Sequence, residues 1–148
     1  HDARELEKAV NAQYDDCDAL VMAAAVSDYR PAVRAENKIK KEQHDHLNIE
    51  LTENPDILYG LGQKKTHQFL VGFAAETRDV IEYGKAKLAK KNLNLLVAND
   101  VAQQGAGFNV STNIAALIYK DGHIEQYPKM TKDDLGHIII EKIAEGIN

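Results

Sequence analysis

The sequence contains very little cysteine and no tryptophan. Cys17 is the one cysteine among 148 residues. A single thiol can form neither an intrachain disulfide nor a zinc cluster built on thiolates, so we expect a reducing, cytoplasmic compartment. No apolar run approaches the roughly 20 residues that a helix needs to cross a bilayer, and we therefore expect no membrane partner.

Several signatures of well-known site chemistries are also missing. The chain has no Gly-x-Gly-x-x-Gly fingerprint, no Walker lysine motif and no Gly-x-Ser-x-Gly elbow, and its six histidines show no metal-ligand spacing. A formal net charge of −5 argues against broad nucleic-acid binding. A small anionic partner fits better, because the lysines are locally concentrated.

The length and composition predict one domain over residues 1–148. Of its residues, 44% are hydrophobic and 28% are charged, which is ordinary for a globular protein with a real core. The chain opens with His1 and enters a helical pattern almost at once, so we expect it to be a fragment of a longer chain.

The apolar pattern alternates between strand-like and helix-like segments. Helices are predicted at 3–14, 55–65, 77–91 and 131–145, and strands at 18–25, 47–51, 69–74, 93–98, 113–119 and 123–127. Asp121-Gly122 between the last two strands is a strong hairpin signal. The alternation predicts an α/β fold, a doubly wound, mostly parallel, Rossmann-like sheet in three layers with a C-terminal β-hairpin. The polar stretch 29–46 is predicted to be a long surface loop.

Ligands of such sheets bind beyond the carboxyl ends of the strands. The first strand exit, residues 22–28, is rich in alanine, which would let a planar ring approach closely, and it ends in Asp28. The alternative for this segment is tight packing followed by an acidic turn. Asn54 is predicted to cap the following helix, with Pro55 at its first position and its N-terminal amides open to an anion.

Lysines cluster at two places. The loop Asn37-Lys38-Ile39-Lys40-Lys41 could close over phosphates as a mobile lid spanning 30–46, or it could be a solvated charge run. Lys87 and Lys91 are one helical turn apart and could form a phosphate clamp, although two cations near a helix C-terminus also need no ligand to explain them.

Five motifs in this order resemble one family. They are Ala23-Ala24-Ala25-Val26-Ser27-Asp28-Tyr29-Arg30-Pro31, Lys38-Ile39-Lys40-Lys41, Asn54-Pro55-Asp56-Ile57, Gly72-Phe73-Ala74-Ala75-Glu76-Thr77 and Ala98-Asn99-Asp100-Val101. From about residue 15 to the C-terminal helix, the chain resembles the bacterial phosphopantothenate–cysteine ligases of coenzyme A biosynthesis. The family's N-terminal portion, with its Gly-rich strand-turn and an asparagine implicated in the second step, has no counterpart here.

The resemblance implies a two-step reaction. CTP activates the carboxylate of 4′-phosphopantothenate as an acyl-cytidylate and releases pyrophosphate; the amine of L-cysteine then displaces CMP. Mg²⁺ accompanies the triphosphate, and no FMN is expected in this chain. The resemblance also implies a homodimer, for which 113–127 is the candidate contact.

The resemblance implies specific site residues as well. Lys38 would be catalytic, stabilising charge during acyl transfer, and Asp28 would contact the nucleotide or its metal. The nucleotide-binding set would be Met22, Ala23, Ala24, Asp28, Lys38, Pro55, Asp56, Ile57, Leu58, Phe73, Lys87 and Lys91. Two other hypotheses stay open: a nucleotide-binding module of a dehydrogenase, and a noncatalytic dimerisation fragment.

Overall fold

A computed structural model describes residues 2–40, 46–76, 79–100 and 112–147. Within these ranges four helices and seven strands follow one another along the chain. They are α1 (Ala3–Tyr14), β1 (Ala19–Met22), β2 (Tyr29–Pro31), β3 (Leu51–Glu53), α2 (Ile57–Lys64), β4 (Phe69–Glu76), α3 (Val80–Lys90), β5 (Leu95–Asp100), β6 (Thr112–Tyr119), β7 (Ile124–Thr131) and α4 (Lys132–Ile147).

Five of the strands form one sheet in the order β1-β4-β5-β6-β7. β1, β4 and β5 are parallel, whereas β6 and β7 run antiparallel to their neighbours. The predicted α/β fold is thus confirmed. The hairpin joins the same sheet, so the sheet is mixed, with its parallel half on the β1 side.

Helices cover both faces of this sheet, which gives the three layers that were predicted. On one face, residues of α1, α2 and α3 such as Tyr14, Leu61 and Leu88 form one apolar cluster. On the other face, α4 contributes Leu135 and Ile139 to a second cluster. The two clusters are the core, and the sheet lies between them.

The first four residues of β5, 95–98, are all apolar. Leu95 and Val97 belong to the α4 cluster, while Leu96 and Ala98 belong to the cluster under α1, α2 and α3. A strand buried on both faces has no solvent side and therefore no polar alternation. The strand predicted at 93–98 is confirmed, with its bounds shifted to Leu95–Asp100.

Two strand predictions were wrong in their limits. The first strand ends at Met22, where its pairing with β4 stops, and does not extend to residue 25. The alternating segment 47–51 is not a strand over its length, since β3 spans Leu51–Glu53. The side chain of Ile49 is 60% exposed, so the alternation there does not come from a buried sheet face.

The segment predicted as a long loop begins with a strand. β2 pairs antiparallel with β3, and the N–H of Ala32 donates to the carbonyl of Glu50 at 2.9 Å. The described residues 32–40 and 46–50 therefore belong to an excursion that leaves and returns through a two-stranded ribbon. Lys38 and Lys40 lie on this excursion, while Lys41 lies outside the described residues.

The hairpin turn follows its sequence signal. Gly122 has a φ of 91°, in the left-handed region that favours glycine. The N–H of Gly122 donates to the carbonyl of Tyr119 at 3.0 Å, and the carboxylate of Asp121 accepts from the N–H of His123 at 2.9 Å. The predicted Asp-Gly turn is confirmed.

A charged cluster ties the hairpin to α4. The carboxylate of Glu125 accepts from the hydroxyl of Tyr127 at 2.5 Å and pairs with the ammonium of Lys142 at 3.3 Å. The hydrogen bond from Tyr127 is the main reason that the pKa of Glu125 lies below its ordinary value.

This lowered pKa predicts an acid-sensitive contribution to stability. A carboxylate with a lowered folded-state pKa stabilises the protein above its unfolded pKa and loses that effect as the pH falls through the folded pKa. We expect Glu125→Gln to lower the melting temperature near neutral pH, with a difference from the parent chain that shrinks below the ordinary value of 4.5. Thermal unfolding across that range measures it.

Glu145→Gln is the matched control. Glu145 contacts the same lysine at 3.4 Å, but its side chain is 69% exposed, so the substitution should change the melting temperature little at any pH. A difference for Glu125→Gln that stays constant from neutral to acidic pH would contradict the prediction.

Candidate active site

A cavity of about 450 Å³ opens at the carboxyl end of β1. Its walls come from the end of β1 and the residues after it, from the β3–α2 connection, and from the end of α3. They are lined by Met22, Ala24, Val26, Ser27, Asp28, Tyr29, Glu53, Asn54, Pro55, Asp56, Ile57, Leu58, Lys90 and Lys91. The cavity thus lies where ligands of parallel sheets bind.

Eight residues that the resemblance implies come together in this cavity. They are Met22, Ala24, Asp28, Pro55, Asp56, Ile57, Leu58 and Lys91. The remaining four, Ala23, Lys38, Phe73 and Lys87, are described by the structure but do not line it.

Two of those four lie on elements that lead to the cavity. Lys38 is exposed on the excursion. Tyr29 on β2 and Glu53 on β3, the two strands that carry the excursion, both line the cavity. Lys87 is exposed on α3, one turn before Lys91. Phe73 is placed differently: on β4 it packs into the α4 cluster, on the opposite face of the sheet from Leu58.

The start of α2 differs from the prediction. The helix is capped by Asp56, whose carboxylate accepts from the N–H of Tyr59 at 3.1 Å, and the prediction of Asn54 as the cap was wrong. Asn54 makes long-range contacts: its side chain donates to the carbonyl of Ser27 at 2.8 Å. A side chain used to hold the neighbouring segment cannot also cap the helix, and Asp56 takes that role.

Lys91 reaches the same helix start from α3. Its ammonium lies 3.0 Å from the carboxylate of Asp56. The chain turns directly after it, with Asn92 at a φ of 51° and its side chain donating to the carbonyl of Gly62 at 3.0 Å. Lys91 is therefore held beside the α2 N-terminus by the packing of α2 on the α3–β5 turn.

The charges around the cavity are mixed. Carboxylates come from Asp28, Glu53 and Asp56, and ammonium groups from Lys90 and Lys91. Lys90 was not identified from the sequence. Side chains of adjacent helix residues point about 100° apart, and the rule that residues four apart share one helix face selected Lys87 and Lys91 instead. With more carboxylates than ammonium groups, the walls alone do not neutralise a triphosphate.

A hydrated divalent cation fits this arrangement better than a protein-built metal cage. Among the described residues, no group of three or more His, Cys, Asp or Glu side chains could hold a metal ion. Mg²⁺ commonly uses one or two carboxylates together with phosphate oxygens and water. Asp28, exposed on the cavity wall, can supply such a single carboxylate. None of the helices in the described ranges is long and apolar enough to span a membrane.

Comparison with known proteins confirms the family that the motifs indicated. Residues 1–147 match the family described as DNA/pantothenate metabolism flavoprotein C-terminal domain. The chain is 46% identical over 142 residues to the coenzyme A biosynthesis bifunctional protein CoaBC of Bacillus subtilis, covering 96% of this chain and 35% of that protein. It is 43% identical over 145 residues to the CoaBC protein of Escherichia coli K12, covering 96% of this chain and 36% of that protein.

Solved structures agree with this assignment. The crystal structure of the C-terminal domain of a coenzyme A biosynthesis bifunctional protein CoaBC superposes with a TM-score of 0.76 at 36% identity, covering 95% of this chain and 60% of that one. A DNA/pantothenate metabolism flavoprotein from Streptococcus pneumoniae shares the fold, with a TM-score of 0.75 at 22% identity over 99% of this chain and 69% of that one. The chain spans about a third of the length of the curated relatives it matches. It belongs to the DNA/pantothenate metabolism flavoprotein C-terminal domain family.

Proposed function

We propose that this chain carries the nucleotide site of a coenzyme A biosynthesis enzyme, a ligase that joins 4′-phosphopantothenate to L-cysteine with CTP through an acyl-cytidylate. The supporting observation is the convergence of Met22, Asp28, Pro55–Leu58 and Lys91 on one cavity at a strand exit. Relatives covering this chain almost fully are named coenzyme A biosynthesis proteins.

Each wall of the cavity suits a different part of a nucleotide. Ala24 carries a small side chain beside Met22, which leaves room for a planar ring at the end of β1. Lys91 supplies a cation beside the start of α2, where the helix dipole also favours a phosphate. A phosphate there would compete with Asp56 for the lysine.

Lys38 is the proposed catalytic residue. Its excursion is anchored at both ends on the cavity wall, by Tyr29 and Glu53, so a movement of the excursion could bring the ammonium over a bound triphosphate. There it would stabilise negative charge that develops as pyrophosphate leaves. Mg²⁺, when bound, would neutralise phosphate charge, with Asp28 as its protein ligand.

The proposal for the whole enzyme includes a homodimer and a cytoplasmic location, with no FMN in this chain. Among the strands of the described residues, β7 is the last of its sheet, and its outer edge offers backbone groups that a partner strand could pair with. This observation supports the hairpin, 113–127, as the candidate contact. The dehydrogenase alternative shares the strand-helix alternation, but the sequence lacks the glycine fingerprint for a dinucleotide pyrophosphate.

The test of the catalytic proposal is a search for the acyl-cytidylate. The chain is incubated with CTP, Mg²⁺ and 4′-phosphopantothenate, and mass spectrometry follows the adduct while a coupled assay follows pyrophosphate. We expect both products, and a fall in their rate of roughly 100-fold in Lys38→Gln, a size usual for loss of one electrostatic stabiliser. Equal rates in the parent chain and in Lys38→Gln would contradict the catalytic role of Lys38, and no product from the parent chain would favour the noncatalytic alternative.

A further inference from the structure

Two segments far apart in sequence adjoin in the wall of the cavity, and one residue joins them. Ser27 and Asp28 follow β1, whereas Asn54 precedes α2. The Nδ2 of Asn54 donates to the carbonyl of Ser27 at 2.8 Å, and its backbone N–H donates to the carbonyl of Asp28 at 2.7 Å. These bonds set the separation between the strand exit and the start of the helix.

The other end of the Asn54 amide is held by an arginine. Nη1 of Arg30 lies 3.2 Å from Oδ1 of Asn54 and also donates to the carbonyl of Glu53. An amide side chain has one acceptor end and one donor end, so a guanidinium bound to Oδ1 obliges Nδ2 to face Ser27. Arg30 is half-buried on β2 and does not line the cavity itself.

We propose that Arg30 and Asn54 form a clamp that holds the strand exit and the start of α2 together in the wall of the nucleotide cavity, with Arg30 as a positioning residue that acts through Asn54. Arg30 also joins the two strands at the ends of the excursion, since it lies on β2 and donates to the carbonyl of Glu53 on β3. By holding these ends, the clamp would limit the positions that the Lys38 ammonium can reach. Its effect on nucleotide affinity rests on the proposed function, whereas its effect on local geometry does not.

Two substitutions separate the parts of the clamp. Arg30→Ala removes the guanidinium and leaves the amide able to rotate. Asn54→Asp keeps an oxygen for Arg30 but replaces the donor to Ser27 with an acceptor, which would repel that carbonyl. Arg34→Ala is the control, because it removes the same charge from an exposed position on the same excursion.

Calorimetric titration with CTP and Mg²⁺ reads out the affinity. We expect Arg30→Ala and Asn54→Asp each to bind CTP about 10-fold more weakly than the parent chain, the size usual for one hydrogen bond to a charged group, and Arg34→Ala to bind normally. Millimolar guanidinium should restore binding to Arg30→Ala and not to Asn54→Asp, with sodium chloride at equal ionic strength as the reference. A role limited to stability would lower the melting temperature without this selective rescue.

Unchanged CTP affinity in Arg30→Ala, or equal rescue of both variants, would overturn the clamp. A second readout tests the clamp independently of nucleotide binding. It is the hydrogen exchange of the Asn54 backbone N–H without ligand. If the parent chain binds no CTP, the proposed function fails, yet faster exchange of this amide in Arg30→Ala than in Arg34→Ala still supports the clamp. Equal exchange in the two variants overturns it.

Discussion

Lys91→Ala is expected to weaken CTP binding roughly 10- to 100-fold, the loss associated with one charge-assisted hydrogen bond in a partly enclosed site. The ammonium of Lys91 lies 3.0 Å from Asp56 at the start of α2, so its removal takes the cation away from the wall where the phosphates are proposed to bind. Calorimetric titration with CTP and Mg²⁺ gives the affinity directly.

Stability should change little in the same variant. The ion pair between Lys91 and Asp56 is partly exposed, and such pairs contribute about 0–1 kcal/mol. Asp56 keeps its hydrogen bond to the N–H of Tyr59, so α2 stays capped. Lys85→Ala is the matched control, since Lys85 lies on α3, the helix that ends directly before Lys91, with its side chain 45% exposed. Equal affinities in the two variants would contradict the placement of phosphates beside α2.

Gly62→Ala is expected to lower stability substantially, by about 1–3 kcal/mol or more. A Cβ at Gly62 would lie 2.0 Å from the carbonyl oxygen of Lys91 and 2.9 Å from its carbonyl carbon, and both are backbone atoms that cannot swing aside. α2 must then move away from the α3–β5 turn. Alanine's better helix propensity, about 1 kcal/mol, does not offset a clash of this size. Differential scanning calorimetry should show a melting temperature lower by roughly 3–10 °C.

Gly60→Ala provides a control of opposite sign on the same helix. A Cβ at Gly60 meets nothing within 4 Å, so the helix propensity of alanine should act alone and raise the melting temperature slightly. Because Gly62 packs directly on Lys91, we also expect Gly62→Ala to weaken CTP binding while Gly60→Ala leaves it unchanged. Similar melting temperatures for the two variants would show that α2 does not pack on the turn as described.

The fold could be predicted from the sequence where burial dictates the pattern. Residues 95–98 of β5 are all apolar because both faces of the strand are covered there. The Asp121-Gly122 turn needs a residue that tolerates positive φ. The strand prediction for 47–51 was wrong because the alternating apolar side chains there are exposed. Only the long-range pairing of β2 with β3 locates the strand. Local patterns do not encode such pairings.

The site was predictable to the extent that strand exits and helix starts mark it. Asp28 and Asp56 were placed in the cavity by that logic together with the family motifs. Lys90 and Arg30 were not identified, since the position of Lys90 depends on how α3 approaches α2 and that of Arg30 on the register of β2 against β3. Phe73, implied by the resemblance, lies on the other face of the sheet from the cavity, and its role as a nucleotide contact stays a prediction.

The most direct test of the central claim is calorimetric titration of this chain with CTP and Mg²⁺, run beside a titration with NADH. The cavity at the end of β1, with Asp28 on one wall and Lys91 on another, predicts saturable heat with CTP that weakens in Asp28→Ala and Lys91→Ala, and no heat with NADH. Saturable heat with NADH and none with CTP would contradict the account and favour a dinucleotide-binding domain.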